Sequence, residues 1–253
     1  MFKKAIVRRP CKNLIKGITR ENQGLPDYSL ALKQHDSYID ALKKCGLEVT
    51  IIEENNTFPD SVFIEDTAVL TKEFAIITNP SPKARKEEIV GVIPTIKHHY
   101  KTIEYIAAPG TLEGGDILQI GDTFYIGKTD RSNEDGIRQF KKIIFKHGYN
   151  AETIDVNKLL HLKTGVSQIE DDKILIVNIL KDNPAFKSFK KIIAEEPEAY
   201  AANSLNINGT ILLPKGFPYT QEKLEAEGYK IMELDVSEYR KLEGGLSCLS
   251  LRF

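Results

Sequence analysis

Four short segments of the chain carry the residue types of a nucleophilic, acid–base site: FPDSVFIED (58–66), TLEGGD (111–116), HLKTG (161–165) and GGLSC (244–248). Between them they supply a thiol at Cys248, an imidazole at His161, and carboxylates at Asp60, Glu65, Asp66, Glu113 and Asp116. A Cys and a His can act as nucleophile and acid–base partner on any scaffold that brings them together. Glu65 and Asp66 interrupt an apolar run, VFI before and TAVL after, where unpaired charge is expensive. Carboxylates beside a thiol would repel an anionic carbonyl intermediate. They suit a planar cation, because bidentate pairing with carboxylate is the strong way to hold a guanidinium. The chemistry expected is therefore C–N hydrolysis or transfer at a guanidino carbon. Asp60, Arg85 and Arg131 add groups able to grip the ammonium and carboxylate of an amino acid.

Taken singly, each residue has a plainer reading. A cysteine on an apolar strand is more often packing than nucleophile, and Cys11 and Cys45 keep that reading. Around Cys248 the flanking glycines and serine permit close backbone approach at a strand entrance. His161 sits among leucines and could be a hydrogen-bonded core histidine; Arg85 and Arg131 could be ordinary surface arginines. The chemical reading requires a scaffold that gathers these segments.

The sequence contains such a scaffold as a repeated pattern: FIEDTAVL, TKE, FAIIT; LEGGDILQI, GDT, FYIG; LKTGVSQI, EDDK, ILIVNI; YAANSLNI, NGT, ILLP. Each is a polar head, a short strand, a tight polar turn and a second apolar strand, which reads as a hairpin. The heads, near Asp66, Asp116, Thr164 and Asn203, lie about 38–50 residues apart, a spacing that signals a repeat architecture. Helical patterns lie between them. Tyr28, Leu32, His35, Ile39 and Leu42 keep helical spacing before Gly46, and Asn133 is a good N-cap for Ile137, Phe140, Ile143 and Ile144 before Gly148. A helix is expected from Thr220 through Leu224, and KARKEEIVGVIPTIKHHY is helix-like with a kink or break at Pro94. The C-terminal GGLSCLSLRF has a head and one strand, and KAIVR at the N-terminus is its natural partner. Five units closed in a ring leave no exposed sheet edge. The expectation is a single domain over residues 1–253, a five-bladed α/β propeller with helices outside and polar heads converging on the axis. An ordinary α/β sandwich with similar hairpins is the alternative.

Composition narrows the function. The 253 residues hold 35 Lys+Arg against 36 Asp+Glu, a formal net charge of −1, without the basic surplus of a nucleic-acid binder. MFKKAIVRRP lacks the apolar run of a secretion signal, and no stretch approaches the roughly 18 apolar residues of a membrane span. Three scattered cysteines without a C-x-x-C spacing argue against a disulfide framework or zinc site. A soluble, cytoplasmic protein acting on a small molecule is expected, with no nucleic-acid or membrane partner.

In MFKKAIVRRP, LPDYSLALKQH, FPDSVFIED, APGTLEGGDIL, HLKTG and SEYRKLEGGLSCLSLRF, the chain resembles the compact bacterial dimethylarginine dimethylaminohydrolases of the guanidino-group-modifying, or pentein, superfamily. The resemblance runs from end to end. It implies the pentein fold, with pseudo-fivefold ββαβ repeats around an axial active site. It implies Cys248 as nucleophile, His161 as general acid and base, and Glu113 as the carboxylate that holds the guanidinium and orients His161. Asp66 would be the second guanidinium ligand, and Asp60 and Glu65 would complete an acidic wall. Arg85, in a poorly matching stretch, and Arg131, in GKTDRSN, would bind the substrate carboxylate, while Ile18 and Leu242 would contribute backbone carbonyls. The implied reaction converts Nω-methylated arginines to citrulline and dimethylamine or methylamine through an S-alkylthiouronium intermediate on Cys248. No metal or organic cofactor is required, and a homodimer is implied. Two rival functions remain open at this stage: a related hydrolase acting on citrulline or arginine, and a non-catalytic binding propeller.

Overall fold

The computed structural model describes residues 1–156 and 158–253. All four internal hairpins form, and each gains a third strand. Ala68–Leu70 and Ala75–Ile77 pair antiparallel, and Ile103–Tyr105 joins the second in parallel. The same order recurs in Ile117–Ile120, Thr123–Lys128 and Asn150–Asp155. It recurs again in Val166–Glu170, Lys173–Val177 and Lys190–Ala194, and in Leu205–Ile207, Thr210–Pro214 and Lys230–Leu234. The last blade is assembled from both ends of the chain: Leu251–Arg252 runs antiparallel to Lys4–Arg8, which pairs in parallel with Glu48–Ile52. The five three-stranded sheets make the expected five-bladed α/β propeller.

The middle strands are buried nearly throughout, as in TILLP and KILIV, because inner strand, outer strand and neighbouring blades cover them. Such strands read as continuous apolar runs. The outer strands, such as NAETID and KIMEL, are half exposed and carry a weaker signal. Asn208 and Gly209, both at positive φ, turn one hairpin in the manner that matches strand twist.

Helices cross from middle to outer strand. Tyr28–Lys44 starts at Asp27, whose carboxylate accepts the Leu30 N–H at 3.0 Å. Glu134–Lys146 starts at Asn133, which accepts the Gly136 N–H at 2.8 Å. It lays Ile137, Phe140 and Ile144 on Phe74, Ile76, Phe124 and Ile126, each worth about 1.5–3 kcal/mol of burial. One expectation changes. Pro218, not Thr220, opens the helix Pro218–Ala226. The KARKEEIV segment divides into a 3-10 turn, Lys86–Gly91, and a helix, Ile93–His99, with Pro94 in the first turn, where its missing N–H costs nothing. The expected break falls just ahead of Pro94, which then sits in the first turn of the new helix and kinks nothing. The Val166–Ala194 blade has no α-helix in its crossover, only the 3-10 turns Asn178–Leu180 and Pro184–Phe186.

Every inner strand is entered through a single helical turn: Ile64–Thr67, Gly114–Asp116, Leu162–Gly165, Ala199–Ala202 and Ser247–Leu249. These turns meet around the axis: each packs on the next from Ile64–Thr67 to Ala199–Ala202, and Ser247–Leu249 packs on Ile64–Thr67. Asn203 closes the ring, donating to Ser247 Oγ at 3.0 Å and accepting the Ser247 N–H at 2.9 Å. Segments far apart in sequence thereby share one small space. Among the described residues, no helix is long and apolar enough to cross a membrane.

Candidate active site

His161 begins the Leu162–Gly165 turn, and Glu113 precedes the Gly114–Asp116 turn. The His161 Nε2–H donates to Glu113 Oε2 at 2.7 Å, and Asp66 Oδ1 lies 3.8 Å from the same nitrogen. The close approach depends on the paired glycines. A Cβ on Gly114 would stand 2.0 Å from the Glu65 carbonyl oxygen, and one on Gly115 would stand 2.7 Å from the His161 ring. Gly115 N–H donates to Asp66 Oδ1 at 3.0 Å. Cys248 lies within the Ser247–Leu249 turn, and its Sγ accepts the Gly245 N–H at 3.4 Å.

Cys248, His161 and Asp66 line one small cavity of about 20 Å³ with Asp60, Arg85 and Arg131. Ile18 and Leu242 line it too, with Phe63 and Glu243 among their neighbours. Glu113 stands behind His161, fully buried. Asp60 accepts the Ile18 N–H with both oxygens, at 3.0 and 3.2 Å, so the segment after Gly17 is tied down over the cavity. Arg20 adds a tie of the same kind to Glu243, its N–H donating to Oε2 at 2.7 Å.

Two expected residues sit differently. Glu65 does not line this cavity. Its Oε1 accepts Lys163 Nζ at 2.7 Å and Arg252 Nη2 at 2.9 Å, and its Oε2 accepts Ser247 Oγ at 2.8 Å. It faces a separate 420 Å³ chamber among the inner strands, and that ion pairing removes it from the acidic wall. Arg85 does line the cavity, but its guanidinium is largely engaged. Nη1 donates to Asp66 Oδ2 at 2.7 Å; Nε and Nη2 hold Glu88 at 2.9–3.1 Å, and Nη2 also reaches the Phe63 carbonyl at 3.1 Å. One Nη1 proton is left for a ligand. Arg131 is looser, with Nη1 3.5 Å from Glu113 Oε1. Glu88 escaped notice in the sequence; its one signal was its place three residues after Arg85.

Burial opposes charge throughout the site, and the balance differs by residue. For Glu113 it is outweighed by the His161 hydrogen bond and by the charges of His161, Arg85 and Arg131, so its carboxyl falls below the usual range. For His161 burial is outweighed by Asp66, Asp116 and Glu113, which raise the imidazole to about 9. For Cys248 burial first, then Glu65 and Asp66, push the thiol up to about 12, and the Gly245 N–H and Lys163 only partly oppose them. Asp60 is raised by burial, with Arg85 opposing.

Among the described residues, only Asp66, Glu113 and His161 bring potential metal-ligand atoms within 4.8 Å of one another. Those atoms are already bonded to each other, to Arg85 and to backbone N–H groups. That donor set suits a proton relay and cation binding better than metal ligation.

A family profile described as N,N dimethylarginine dimethylhydrolase, eukaryotic, matches residues 18–249. The N(G),N(G)-dimethylarginine dimethylaminohydrolase of Pseudomonas aeruginosa is 43% identical over 254 residues, covering 100% of both chains. The chain belongs to the dimethylarginine dimethylaminohydrolase family. A Streptomyces coelicolor dimethylarginine dimethylaminohydrolase is 35% identical, covering 99% of this chain and 96% of its own. The solved structure of the Pseudomonas aeruginosa dimethylarginine dimethylaminohydrolase, a cysteine-to-serine variant complexed with citrulline, superposes with a TM-score of 0.98 at 42% identity over 100% of both chains. The five-bladed propeller is thus the fold of this dimethylarginine dimethylaminohydrolase family.

Proposed function

We propose that residues 1–253 act as one catalytic unit that hydrolyses Nω-methylated arginines to citrulline and dimethylamine or methylamine. The observation that carries this reading is the convergence of Cys248, the His161–Glu113 pair and Asp66 on one cavity that also holds Arg131. Family membership supports it.

The chemistry follows from the groups. Asp66 holds the guanidinium while Glu113 holds His161 from behind, and the cation's charge lowers the Cys248 thiol so that its proton passes to solvent and the thiolate forms when substrate is present. Sγ attacks the guanidino carbon, the C–N bond to the methylated nitrogen breaks, and the imidazolium of His161 protonates the departing amine. His161 then takes a proton from water, the oxygen attacks the S-alkylthiouronium carbon, and citrulline leaves as Cys248 is restored. Arg131, with one proton of Arg85, holds the α-carboxylate. A 20 Å³ cavity holds about one water, so the Ile18 segment lifts to admit substrate and closes to exclude solvent. Three free cysteines fit a cytoplasmic setting.

The test is turnover of asymmetric dimethylarginine with citrulline and dimethylamine both quantified. Equimolar products support the reading. Ammonia from arginine, or ornithine from citrulline, with no dimethylamine released, would replace it.

A further inference from the structure

Asp116 has no place in the reaction described above, yet its carboxylate accepts three hydrogen bonds beside the site. It is fully buried and does not line the cavity. Oδ1 accepts the Leu162 N–H at 3.0 Å, and Oδ2 accepts the hydroxyls of Thr129 at 2.7 Å and Ser132 at 2.6 Å.

Each hydroxyl has one proton. Because both protons go to Asp116, the hydroxyl lone pairs are left to accept backbone donors. Thr129 Oγ1 accepts the Arg131 N–H at 3.0 Å, and Ser132 Oγ accepts the Glu113 N–H at 3.2 Å. The third donor, Leu162 N–H, belongs to the residue that follows His161. One carboxylate therefore orients the backbone at all three: the imidazole's own turn, the carboxylate that pairs with the imidazole, and the arginine beside that carboxylate. Space around it is also restricted, since a Cβ on Gly127 would come 2.8 Å from Asp116 Oδ1.

We propose that Asp116 is a positioning residue for catalysis, an acceptor-only hub that fixes His161, Glu113 and Arg131 in register and adds negative charge behind the imidazole. The proposal deepens the hydrolase reading and rests on it for the consequences on turnover. Acceptor-only chemistry is its essential feature. An amide at this position keeps the size but must turn its NH2 toward either Leu162 N–H or the two hydroxyls, reversing at least one relay. The charged groups around His161 are Asp66 and Glu113 on the neighbouring heads, Arg85 and Arg131 beside them, and Asp116 itself. Removing one of three carboxylates leaves the others to hold the imidazolium less firmly.

The experiment combines Asp116→Asn with two narrower variants and two readouts. In substrate-free protein, histidine-selective NMR follows the His161 titration, with His161→Gln to assign the resonance. Asp116→Asn should move that titration down by about one unit or more, and kcat should fall at least tenfold with its alkaline limb displaced in the same direction. Ser132→Ala, which cuts only the Glu113 arm, should lower kcat. Thr129→Val, which cuts only the Arg131 arm, should raise KM for dimethylarginine with kcat largely kept. An Asp116→Asn protein whose melting temperature drops while the His161 titration and kcat stay put would reduce Asp116 to a structural role and overturn the proposal. If Asp116→Asn does not fold, unchanged kcat in Ser132→Ala together with unchanged KM in Thr129→Val overturns it equally. The NMR readout needs no substrate, so an error in the assigned reaction would leave that result standing.

Discussion

His161 Nε2 and Glu113 Oε2 lie 2.7 Å apart, with Glu113 at 0% exposure and His161 at 5%. Burial alone would neutralise both groups, but the pair stays ionised, with Asp66 and Asp116 supporting the imidazolium and Arg85 and Arg131 the carboxylate: Glu113 is lowered to about 2 and His161 is raised to about 9. The histidine is raised, so its contribution to stability is complete below its ordinary 6.5 and is lost as pH climbs through 9. The glutamate is lowered, so its contribution is complete above its ordinary 4.5 and is lost as pH falls toward 2. Melting temperature against pH should therefore decline above neutrality, and Glu113→Gln should flatten that alkaline slope while cutting kcat about 10²–10⁴-fold. A Gln variant with the wild-type alkaline slope would contradict this account of the pair.

Cys248 makes the opposite prediction. With the thiol pushed up to about 12 by burial, then by Glu65 and Asp66, only about one molecule in 10⁴ carries a thiolate at pH 8 in the empty site. Iodoacetamide should react slowly with free enzyme at neutral pH. A small non-reacting cation such as acetamidine, held against Asp66, should lower the apparent pKa and speed alkylation at fixed pH. Rapid alkylation of the empty enzyme below pH 8 would sink the idea.

The reach of the sequence can be judged from particular residues. Asp66, Asp116, Thr164 and Asn203 were visible as heads because polar residues stand at the entrances of apolar strands, and their even spacing implied a ring. Glu65 and Asp66 show where such reasoning stops. Adjacent residues on one helical turn face different sides, so one joins the cavity while the other pairs with Lys163 and Arg252. Composition cannot choose between them. The Arg85–Glu88 pairing and the Thr129 and Ser132 relays were hidden for a related reason: each looks like an ordinary turn or surface residue until distant partners are placed beside it. The outer strands came only from the implied ββαβ repeat and not from the residue pattern, because segments as short as Ile103–Tyr105 and as exposed as Asn150–Asp155 carry little periodic signal.

The two arginines at the cavity should respond differently to truncation. Arg85 is buried against Asp66 and Glu88, and removing one member of such a cluster leaves uncompensated buried charge, costing about 3–5 kcal/mol. Arg131 touches only Glu113, at 3.5 Å, among the described ion pairs. Arg85→Ala should lose much of the protein's resistance to urea, whereas Arg131→Ala should unfold near the wild-type midpoint yet show a KM for dimethylarginine raised about tenfold or more. Urea titration and steady-state kinetics on the same preparations check both. Equal losses of stability would show that Arg131 is built into the fold as firmly as Arg85.

Closure of the cavity depends on Gly17 because of what surrounds its Cα. A Cβ there would lie 2.8 Å from Leu242 Cδ1, 2.9 Å from Asp60 Oδ1 and 3.1 Å from the Leu14 carbonyl oxygen. Asp60 cannot retreat freely, since it holds the Ile18 N–H with both oxygens. The segment itself must lift, at the cost of about 1–3 kcal/mol typical of overpacking a close contact. The Arg20 side chain is half exposed, so its ion pair with Glu243 resists by only about 1 kcal/mol. Gly17→Ala should therefore raise KM for dimethylarginine by about 5- to 150-fold and lower the unfolding free energy by no more than that same cost of about 1–3 kcal/mol, and trypsin should cut after Arg20 faster than in wild type. Unchanged KM and unchanged cleavage would mean that the segment closes without needing the space at Gly17.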